Sequence, residues 1–261
     1  MSTQFFKPQI AESFSRAAVS YDGVAQLQRD IGYELLSQLS CSSAEVVMDL
    51  GCGTGYFAPL LADKLKPQQL ICLDLAQGML AYAREHRATA NTLWLCGDAE
   101  HLPLADNSVE LIFSSLAIQW CEDLDALFSE VARVLKPGGR FLFSTLGPDT
   151  LHEIRTSWST VDRFQHVNRF MHLSCLQTSA EKYLREVSLK EGKKVLLYDQ
   201  LRELTTELKG IGAHNISAGR PSGLTGKARV LAFKAAYEQF RRPDGQLPAT
   251  YQVFYGEYIN G

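Results

Sequence analysis

The sequence predicts an α/β fold with a doubly wound, mostly parallel sheet of seven strands. Short apolar segments of strand type alternate with longer segments of helical periodicity from residue 45 to residue 146. Such alternation is typical of a parallel sheet with helices on both faces, and right-handed crossovers determine most of the strand order. The 261 residues, of which 46% are hydrophobic, suffice for a full core, so a single domain over residues 1–261 is expected.

Helices are predicted before the first strand. Apolar residues recur at helical spacing between Ile10 and Leu39, and Gly23 marks a break near the middle. Because this segment precedes the sheet, it must pack on a face of the sheet or cross the edge where ligands bind. Residues 1–40 are therefore predicted to form a helical lid, with plain helical packing as the equal alternative.

The core elements follow in regular order. Strands are predicted at residues 45–50, 69–74, 92–97, 109–115 and 140–146, and helices at residues 55–65, 76–87 and 123–134. The Pro137-Gly138-Gly139 run predicts a turn before the fifth strand. After residue 146 the alternation stops, and the polar, aromatic and basic residues 147–193 are predicted to form an inserted cap. Two further strands, at residues 194–198 and 251–255, are separated by predicted helices from Leu201 to Leu208 and from Thr225 to Phe240.

A glycine-rich turn follows the first strand. The apolar segment from Val46 to Leu50 contains Asp49, and glycines stand at positions 51, 53 and 55, just before a helix. Glycines have no Cβ and let a backbone come close to a ligand, and ligands of open α/β sheets bind at this edge of the sheet. The alternative is that the glycines only tighten a turn.

The spacing of the glycines discriminates between ligands. A dinucleotide fingerprint requires a glycine at position 56, where this chain has Tyr56, so an NAD-dependent oxidoreductase is disfavoured. The acid at position 49 is a poor neighbour for pyrophosphate and a good one for a cationic ligand. The pattern resembles the first motif of the class I S-adenosylmethionine-dependent methyltransferases. That resemblance implies a Rossmann-like fold and S-adenosylmethionine as the cofactor.

Residues at the later strand ends complete a predicted cofactor site. Asp74 can accept hydrogen bonds from both ribose hydroxyls, or it can cap the next helix. Asp98 can accept from the exocyclic amine of adenine, Met79 can pack against adenine or in the core, and Ser114 ends the strand beside which the reactive methyl must lie. The predicted cofactor-binding residues are Asp49, Gly51, Gly53, Gly55, Asp74, Leu75, Met79, Asp98, Ala99 and Ser114.

Composition disfavours several other classes. The six cysteines form no C-x-x-C pair and no metal-ligand spacing with the six histidines, so we expect no metal and a reducing compartment. No apolar run approaches the roughly 18 residues of a membrane span and no signal-peptide pattern is present, so a cytoplasmic protein without membrane attachment is expected. The Ser114–Trp120 run lacks the (N/D)-P-P-(Y/F) motif of amino-group nucleic-acid methyltransferases, and no basic track indicates nucleic acid binding.

More specific runs lie outside the glycine motif. They are Arg16-Ala17-Ala18-x-x-Tyr21, Leu116–Cys121, Thr145–Leu151, His166–Phe170, Lys209–Asn215, Gly223–Lys227 and Leu247–Tyr251. On these runs the chain resembles, over nearly its whole length, the malonyl-acyl-carrier-protein O-methyltransferases of biotin synthesis. The resemblance implies methylation of the free carboxylate of a malonyl thioester on acyl carrier protein, which gives the methyl ester that primes pimeloyl synthesis.

A carboxylate acceptor needs little from the enzyme beyond orientation. It is already ionised at pH 7 and requires no general base, but a cationic or hydrogen-bonding group must hold it. Arg169 is the first candidate, with His166 nearby in sequence, and Tyr21, Gln119 and Trp120 are predicted pocket walls. Ordinary packing or a surface salt bridge is the alternative for each of them.

The two halves of the chain differ in charge. The net charge of −3 divides into −8 over residues 1–150 and +5 over residues 151–261. Because the carrier protein is acidic, we predict a docking face at Lys209, Arg220, Lys227, Arg229, Arg241 and Arg242, with a merely solvated face as the alternative. A monomer is expected. Two alternative functions stay open: a methyltransferase of a small carboxylic acid or quinone precursor, and a non-catalytic module that binds S-adenosylmethionine.

Overall fold

A seven-stranded sheet is the centre of the protein. The computed structural model describes residues 7–211 and 226–261, and its strands are β1 (Val46–Leu50), β2 (Gln69–Asp74), β3 (Thr92–Cys96), β4 (Val109–Ser115), β5 (Leu135–Leu146), β6 (Arg185–Tyr198) and β7 (Leu247–Ile259). Their order in the sheet is β3-β2-β1-β4-β5-β7-β6. Strands β1 to β5 pair in parallel, and β7 pairs antiparallel with both β5 and β6. The predicted doubly wound, mostly parallel sheet of seven strands is confirmed.

Helices cover both faces of this sheet. They are α1 (Lys7–Val24), α2 (Gln26–Ser37), α3 (Ala58–Leu65), α4 (Gln77–Arg87), α5 (Leu124–Val134), α6 (His152–Ser159), α7 (Leu173–Ala180), α8 (Leu201–Gly210) and α9 (Lys227–Tyr237). The predicted break near Gly23 is the junction of α1 and α2. Asp123 caps the N-terminus of helix α5, and its carboxylate accepts hydrogen bonds from the backbone N–H groups of Asp125 and Ala126.

The core lies in two layers, one on each face of the sheet. Neighbouring strand residues alternate between the layers because successive side chains point to opposite faces. Val47 packs with Ile31 and Leu35 of α2, whereas Met48 packs with Phe128 and Val131 of α5. No helix in the described ranges is long and apolar enough to cross a membrane.

The last three strands are longer than the sequence pattern predicts. Strand β6 begins at Arg185 rather than at residue 194, because it is an edge strand whose charged residues hide the alternation. Strand β5 begins at Leu135, and the predicted Pro-Gly-Gly turn is an irregularity within it. Leu135 pairs with Val109 and Arg140 pairs with Leu111, so the intervening residues bulge out of the ladder, with Gly138 at φ +79°.

Candidate active site

A cleft opens at the carboxyl ends of β1, β2 and β4. The strand order reverses between β1 and β4, and such switch points are where open α/β sheets bind ligands. Helix α1 lies across this edge and closes one side of the cleft through Lys7, Ile10, Phe14 and Tyr21. We call this space the cofactor cleft. It is lined by seven of the predicted cofactor-binding residues: Gly51, Gly53, Asp74, Leu75, Met79, Asp98 and Ala99.

The three glycines of the turn have different roles. All have positive φ angles, of 73° at Gly51, 55° at Gly53 and 73° at Gly55, which residues with a Cβ rarely adopt. A Cβ at Gly55 would lie 2.9 Å from the Trp94 ring, so this glycine serves packing, and it does not line the cleft. A Cβ at Gly53 would meet no protein atom within 4 Å. The backbone at Gly53 therefore faces open space that a ligand can fill.

Asp74 joins the glycine turn to α4. One carboxylate oxygen accepts the N–H of Gly53 at 2.8 Å, and the other accepts the N–H of Ala76 at 2.7 Å. Burial raises the pKa of the Asp74 carboxyl, and its backbone hydrogen bonds partly offset that increase. Since a carboxylate oxygen has more than one lone pair, both oxygens can still accept from two neighbouring hydroxyls of a ribose.

Asp49 is the strongest indication of a cationic ligand. Its side chain is 3% exposed, and it lines a small pocket continuous with the glycine turn, where Gly51, Gly53 and Tyr21 also lie. One of its carboxyl oxygens has no hydrogen-bond partner among the described residues. Burial, with a smaller contribution from the negative charge of Asp74, raises the pKa of Asp49 to about 8. An ammonium group placed here would supply both the missing donor and the missing positive charge.

Ser114 lies outside the cleft, although the sequence places it at the right strand end. Its side chain is fully buried, and its hydroxyl donates to the backbone carbonyl of Leu50 at 2.8 Å. The next residue, Ser115, lines the cleft instead. The reason is the two-residue period of a strand, which turns neighbouring side chains to opposite faces.

The end of the cleft at Asp98 is occupied by an ion-pair cluster that sequence reasoning missed. The Lys7 ammonium lies 2.6 Å from Asp98 and 2.8 Å from Glu100, so it engages the predicted adenine acceptor. At the other end of α1, Asp22 accepts from the hydroxyl of Thr54 at 2.7 Å and pairs with Arg87 at 2.5 Å. These contacts hold α1 across the cleft at both ends.

A second cavity adjoins the cofactor cleft, and we call it the acceptor cavity. The two spaces share Phe14, Tyr21, Leu116 and Trp120. The other described residues that line it are Leu27, Gln28, Gln119, Leu146, Thr150, Leu151, Asn168, Phe170, Leu208, Ile211 and Tyr251. The structure thus brings together three of the five predicted catalytic residues, Tyr21, Gln119 and Trp120.

His166 and Arg169 do not line the acceptor cavity. The His166 ring stacks on Trp158, with 3.8 Å between ring centroids, and its Nε2 lies 2.8 Å from a carboxylate oxygen of Asp162. Arg169 is exposed, whereas the preceding Asn168 is 4% exposed and lines the cavity. Residues 165–170 form no helix or strand, so no periodicity shows which of these side chains faces inward, and the cavity receives Asn168 where the sequence predicted Arg169.

Comparisons with known proteins show the family of this chain. A family described as a methyltransferase domain matches residues 48–143. The chain is 42% identical over 250 residues to the malonyl-[acyl-carrier protein] O-methyltransferase of Serratia marcescens, covering 96% of this chain and 94% of that protein. It is 40% identical over 247 residues to the protein of the same name from Hahella chejuensis, covering 95% and 88%. The chain belongs to the malonyl-[acyl-carrier protein] O-methyltransferase family.

Other relatives of this chain are longer. The biotin biosynthesis bifunctional protein BioHC of Cellvibrio japonicus is 46% identical over 257 residues, which cover 98% of this chain and 50% of that protein. The chain therefore spans about half the length of the bifunctional relatives that it matches. A solved structure of a putative methyltransferase from Bacillus halodurans has a TM-score of 0.64 at 16% identity, covering 88% of this chain and 98% of that one. At this identity the likeness supports the fold alone.

Family membership leaves several site residues unmarked by any sequence signal. Lys7, Asp22 and Gln28 belong to no motif, and only the fold shows that they reach the site. Asn168 lies in a run that the family resemblance covers, but the pattern does not show which of its side chains faces inward. Within residues 7–211 and 226–261, no cluster of three or more His, Cys, Asp or Glu side chains is arranged to hold a metal ion.

Proposed function

We propose that this protein transfers the methyl group of S-adenosylmethionine to the free carboxylate of a malonyl thioester on acyl carrier protein. The observation that carries the proposal is that the cofactor cleft and the acceptor cavity meet at Tyr21, Leu116 and Trp120. A nucleophile in the acceptor cavity would therefore lie next to a methyl group held in the cleft. The product would be the malonyl methyl ester that primes pimeloyl synthesis in the biotin pathway.

The residues of the cleft fit a nucleoside that carries an ammonium and a sulfonium. Asp49 would hold the ammonium, the Gly53 backbone leaves room for the ligand, and Asp74 would accept from the ribose hydroxyls. The bound cofactor supplies an electrophilic methyl group on a positively charged sulfur. The contribution of the protein is to align the two reactants, since in-line positioning provides much of the acceleration of such a displacement.

The acceptor side requires no proton transfer. A malonyl carboxylate is ionised at neutral pH and attacks directly. Burial, with the charges of Asp74 and Asp22, raises the pKa of Tyr21, so its phenol stays protonated at neutral pH and can donate a hydrogen bond. The apolar walls of the cavity, such as Leu27, Leu146 and Phe170, exclude water from the reacting atoms.

The activity is tested with labelled S-adenosylmethionine and three acceptors. We expect a labelled methyl ester with malonyl-carrier protein and none with acetyl-carrier protein. Labelling of free malonate at a similar rate would favour a small-acid methyltransferase. Cofactor binding without transfer to any of the three would favour a non-catalytic module and would overturn the proposal.

We also propose that the acidic carrier protein docks on the predicted basic face. Lys209 and Lys227 are exposed and carry no ion pair with the described residues, whereas Arg220 lies outside those residues. Arg241 pairs with Glu238 at 2.6 Å, and Arg242 pairs with Asp244 at 3.1 Å. Exposed pairs of this kind contribute at most about 1 kcal/mol, so a partner's carboxylates can replace them.

Docking is tested through salt dependence. The KM for malonyl-carrier protein should rise steeply with ionic strength, while the KM for malonyl-CoA should change little. Lys227→Glu should raise only the KM for the carrier protein, and Lys64→Glu, an exposed change on α3, should raise neither. Equal salt dependence for both substrates would remove this face from the proposal.

We propose that the protein acts as a monomer in the cytoplasm. All six cysteines lie in the described residues and carry free thiols, which fits a reducing compartment. Sedimentation velocity of the purified protein tests the monomer, and a concentration-dependent dimer would contradict it.

A further inference from the structure

The described lining of the acceptor cavity carries no ionisable acid or base of the Asp, Glu, His, Lys or Arg type. Its polar side-chain groups are the amides of Gln28, Gln119 and Asn168, the hydroxyls of Tyr21, Thr150 and Tyr251, and the indole N–H of Trp120. Several of these groups are already engaged. The Gln119 amide donates to the carbonyl of Leu116 and accepts from the hydroxyl of Thr145. The Thr150 hydroxyl donates to the carbonyl of Gln252 at 3.1 Å.

Gln28 differs from these groups in its environment. The oxygen of its carboxamide is buried and has no hydrogen-bond partner among the described residues. A buried amide without a partner is costly, and native structures rarely keep one without a reason. Gln28 also lines both the acceptor cavity and the pocket of Asp49, and Tyr21 is the other side chain that lines both. Its carboxamide therefore lies where the acceptor cavity meets the pocket of Asp49.

We propose that Gln28 orients the acceptor carboxylate through an amide N–H, and that neutral donors rather than a cation recognise this carboxylate. The inference rests on the proposed function and extends it by a residue. Rotation of the carboxamide by about 180° exchanges its oxygen and nitrogen, so the group can offer an N–H at the position of the unpaired oxygen. The phenol of Tyr21, protonated at neutral pH, supplies a second donor from α1.

Neutral donors suit the charge balance of the reaction. A carboxylate oxygen forms a bond to the methyl carbon, the bond from that carbon to sulfur breaks, and its electron pair stays on sulfur. One negative and one positive charge disappear, no proton moves, and the products are a neutral ester and a thioether. A buried Arg would stabilise the ionised reactant and would be left without a counter-charge beside the ester. An amide N–H can donate to an oxygen of the carboxylate before the reaction and to an oxygen of the ester after it.

The test compares the binding of substrate and product. Calorimetry with S-adenosylhomocysteine present, which prevents turnover, measures the affinity of the malonyl thioester and of its methyl ester on the carrier protein. Gln28→Glu places a negative charge beside the carboxylate. It should lower the affinity for the malonyl thioester about 30-fold, and the affinity for the neutral methyl ester less than about threefold. Gln28→Met removes the donor at similar side-chain volume and should lower the affinity for the malonyl thioester about tenfold. The control is Gln9→Glu, the same change at an exposed position on α1, which should alter neither affinity.

Circular dichroism reports whether each variant is folded, and the affinity for S-adenosylhomocysteine separates the outcomes. Wild-type affinity for the malonyl thioester in Gln28→Glu would overturn the inference and leave the proposed function standing. A loss of S-adenosylhomocysteine affinity alone would assign Gln28 to the cofactor and would also overturn the inference. If the wild-type protein binds the cofactor but no malonyl thioester, the proposed function itself fails.

Discussion

Asp49 should release a proton when the cofactor binds. Without a ligand its pKa is about 8, so about nine-tenths of the molecules carry a neutral Asp49 at pH 7. A bound ammonium favours the carboxylate form and expels that proton. We therefore expect release of about 0.9 proton per cofactor at pH 7, and an affinity that rises nearly tenfold from pH 6 to pH 7.

Isothermal titration calorimetry measures this release directly. The observed binding enthalpy differs between buffers of different ionisation enthalpy in proportion to the protons released. Asp49→Asn should abolish the release and flatten the pH dependence, and it should lower cofactor affinity. The matched control is Asp63→Asn, an exposed carboxylate on α3, which should behave as the wild type.

The same group links pH to the stability of the protein without ligand. The pKa of Asp49 is higher in the folded protein, at about 8, than the ordinary value of 3.8. The contribution of this carboxyl to the free energy of unfolding is fully present below about pH 4. It is lost as the pH rises from about 4 to 8, because the unfolded chain loses this proton more readily than the folded protein does. The loss is about 1.4 kcal/mol per pH unit in the middle of this range. Asp49→Asn should therefore become more stable relative to the wild type by on the order of 3 kcal/mol between pH 5 and pH 7, measured by urea unfolding.

Two results would refute the reasoning about Asp49. One is a binding enthalpy at pH 7 that is the same in all buffers, which means that no proton leaves. The other is a difference in unfolding free energy between Asp49→Asn and the wild type that stays constant from pH 5 to pH 7. The first result would show that the protonation of Asp49 does not change on binding, and the second that its carboxyl is already ionised in the folded protein.

Three further predictions concern the glycine turn and the acceptor side. Gly53→Ala should lower the free energy of unfolding by about 1 kcal/mol because of its positive φ, and it should weaken cofactor binding in calorimetry. Gly55→Ala should lower the melting temperature further, because its Cβ would also meet the Trp94 ring. Tyr21→Phe should lower kcat/KM for malonyl-carrier protein about tenfold at unchanged cofactor affinity; an unchanged kcat/KM would remove its donor role. Arg169→Ala should change kcat/KM for malonyl-CoA less than about threefold, and a loss above 100-fold would restore Arg169 as the orienting residue.

Local patterns were sufficient to predict the fold class, the first four strands and most of the residues that line the cofactor cleft. Each βα unit can be recognised in the sequence, because apolar residues recur with period two in strands and with period 3.6 in helices. The glycine turn with Asp49 and the acid at Asp74 lies at the ends of such strands, and strand ends of a parallel sheet meet at one edge. The positions of these residues in the cleft and in the adjoining pocket of Asp49 therefore followed from their positions in the sequence.

The acceptor side was predicted less well for a physical reason. It is built by segments far apart in the chain, and whether a side chain faces the cavity depends on how those segments pack. In two places the residue that lines the site is one position away from the predicted one. Asn168 lines the cavity where Arg169 was predicted, and Ser115 lines the cleft where Ser114 was predicted. The sequence contains the polar residues, but the pattern alone does not determine which of two neighbours faces inward.

The sequence by itself determined the fold class, the cationic character of the cofactor and the family, because these depend on periodicity and on the spacing within one turn. Only the tertiary structure decided that α1 lies across the cleft, held by Lys7 and Asp22, and that Gln28 stands where the two cavities meet. These are contacts between residues far apart along the chain. They come from the packing of helices against the sheet edge, which leaves no periodic trace in the sequence.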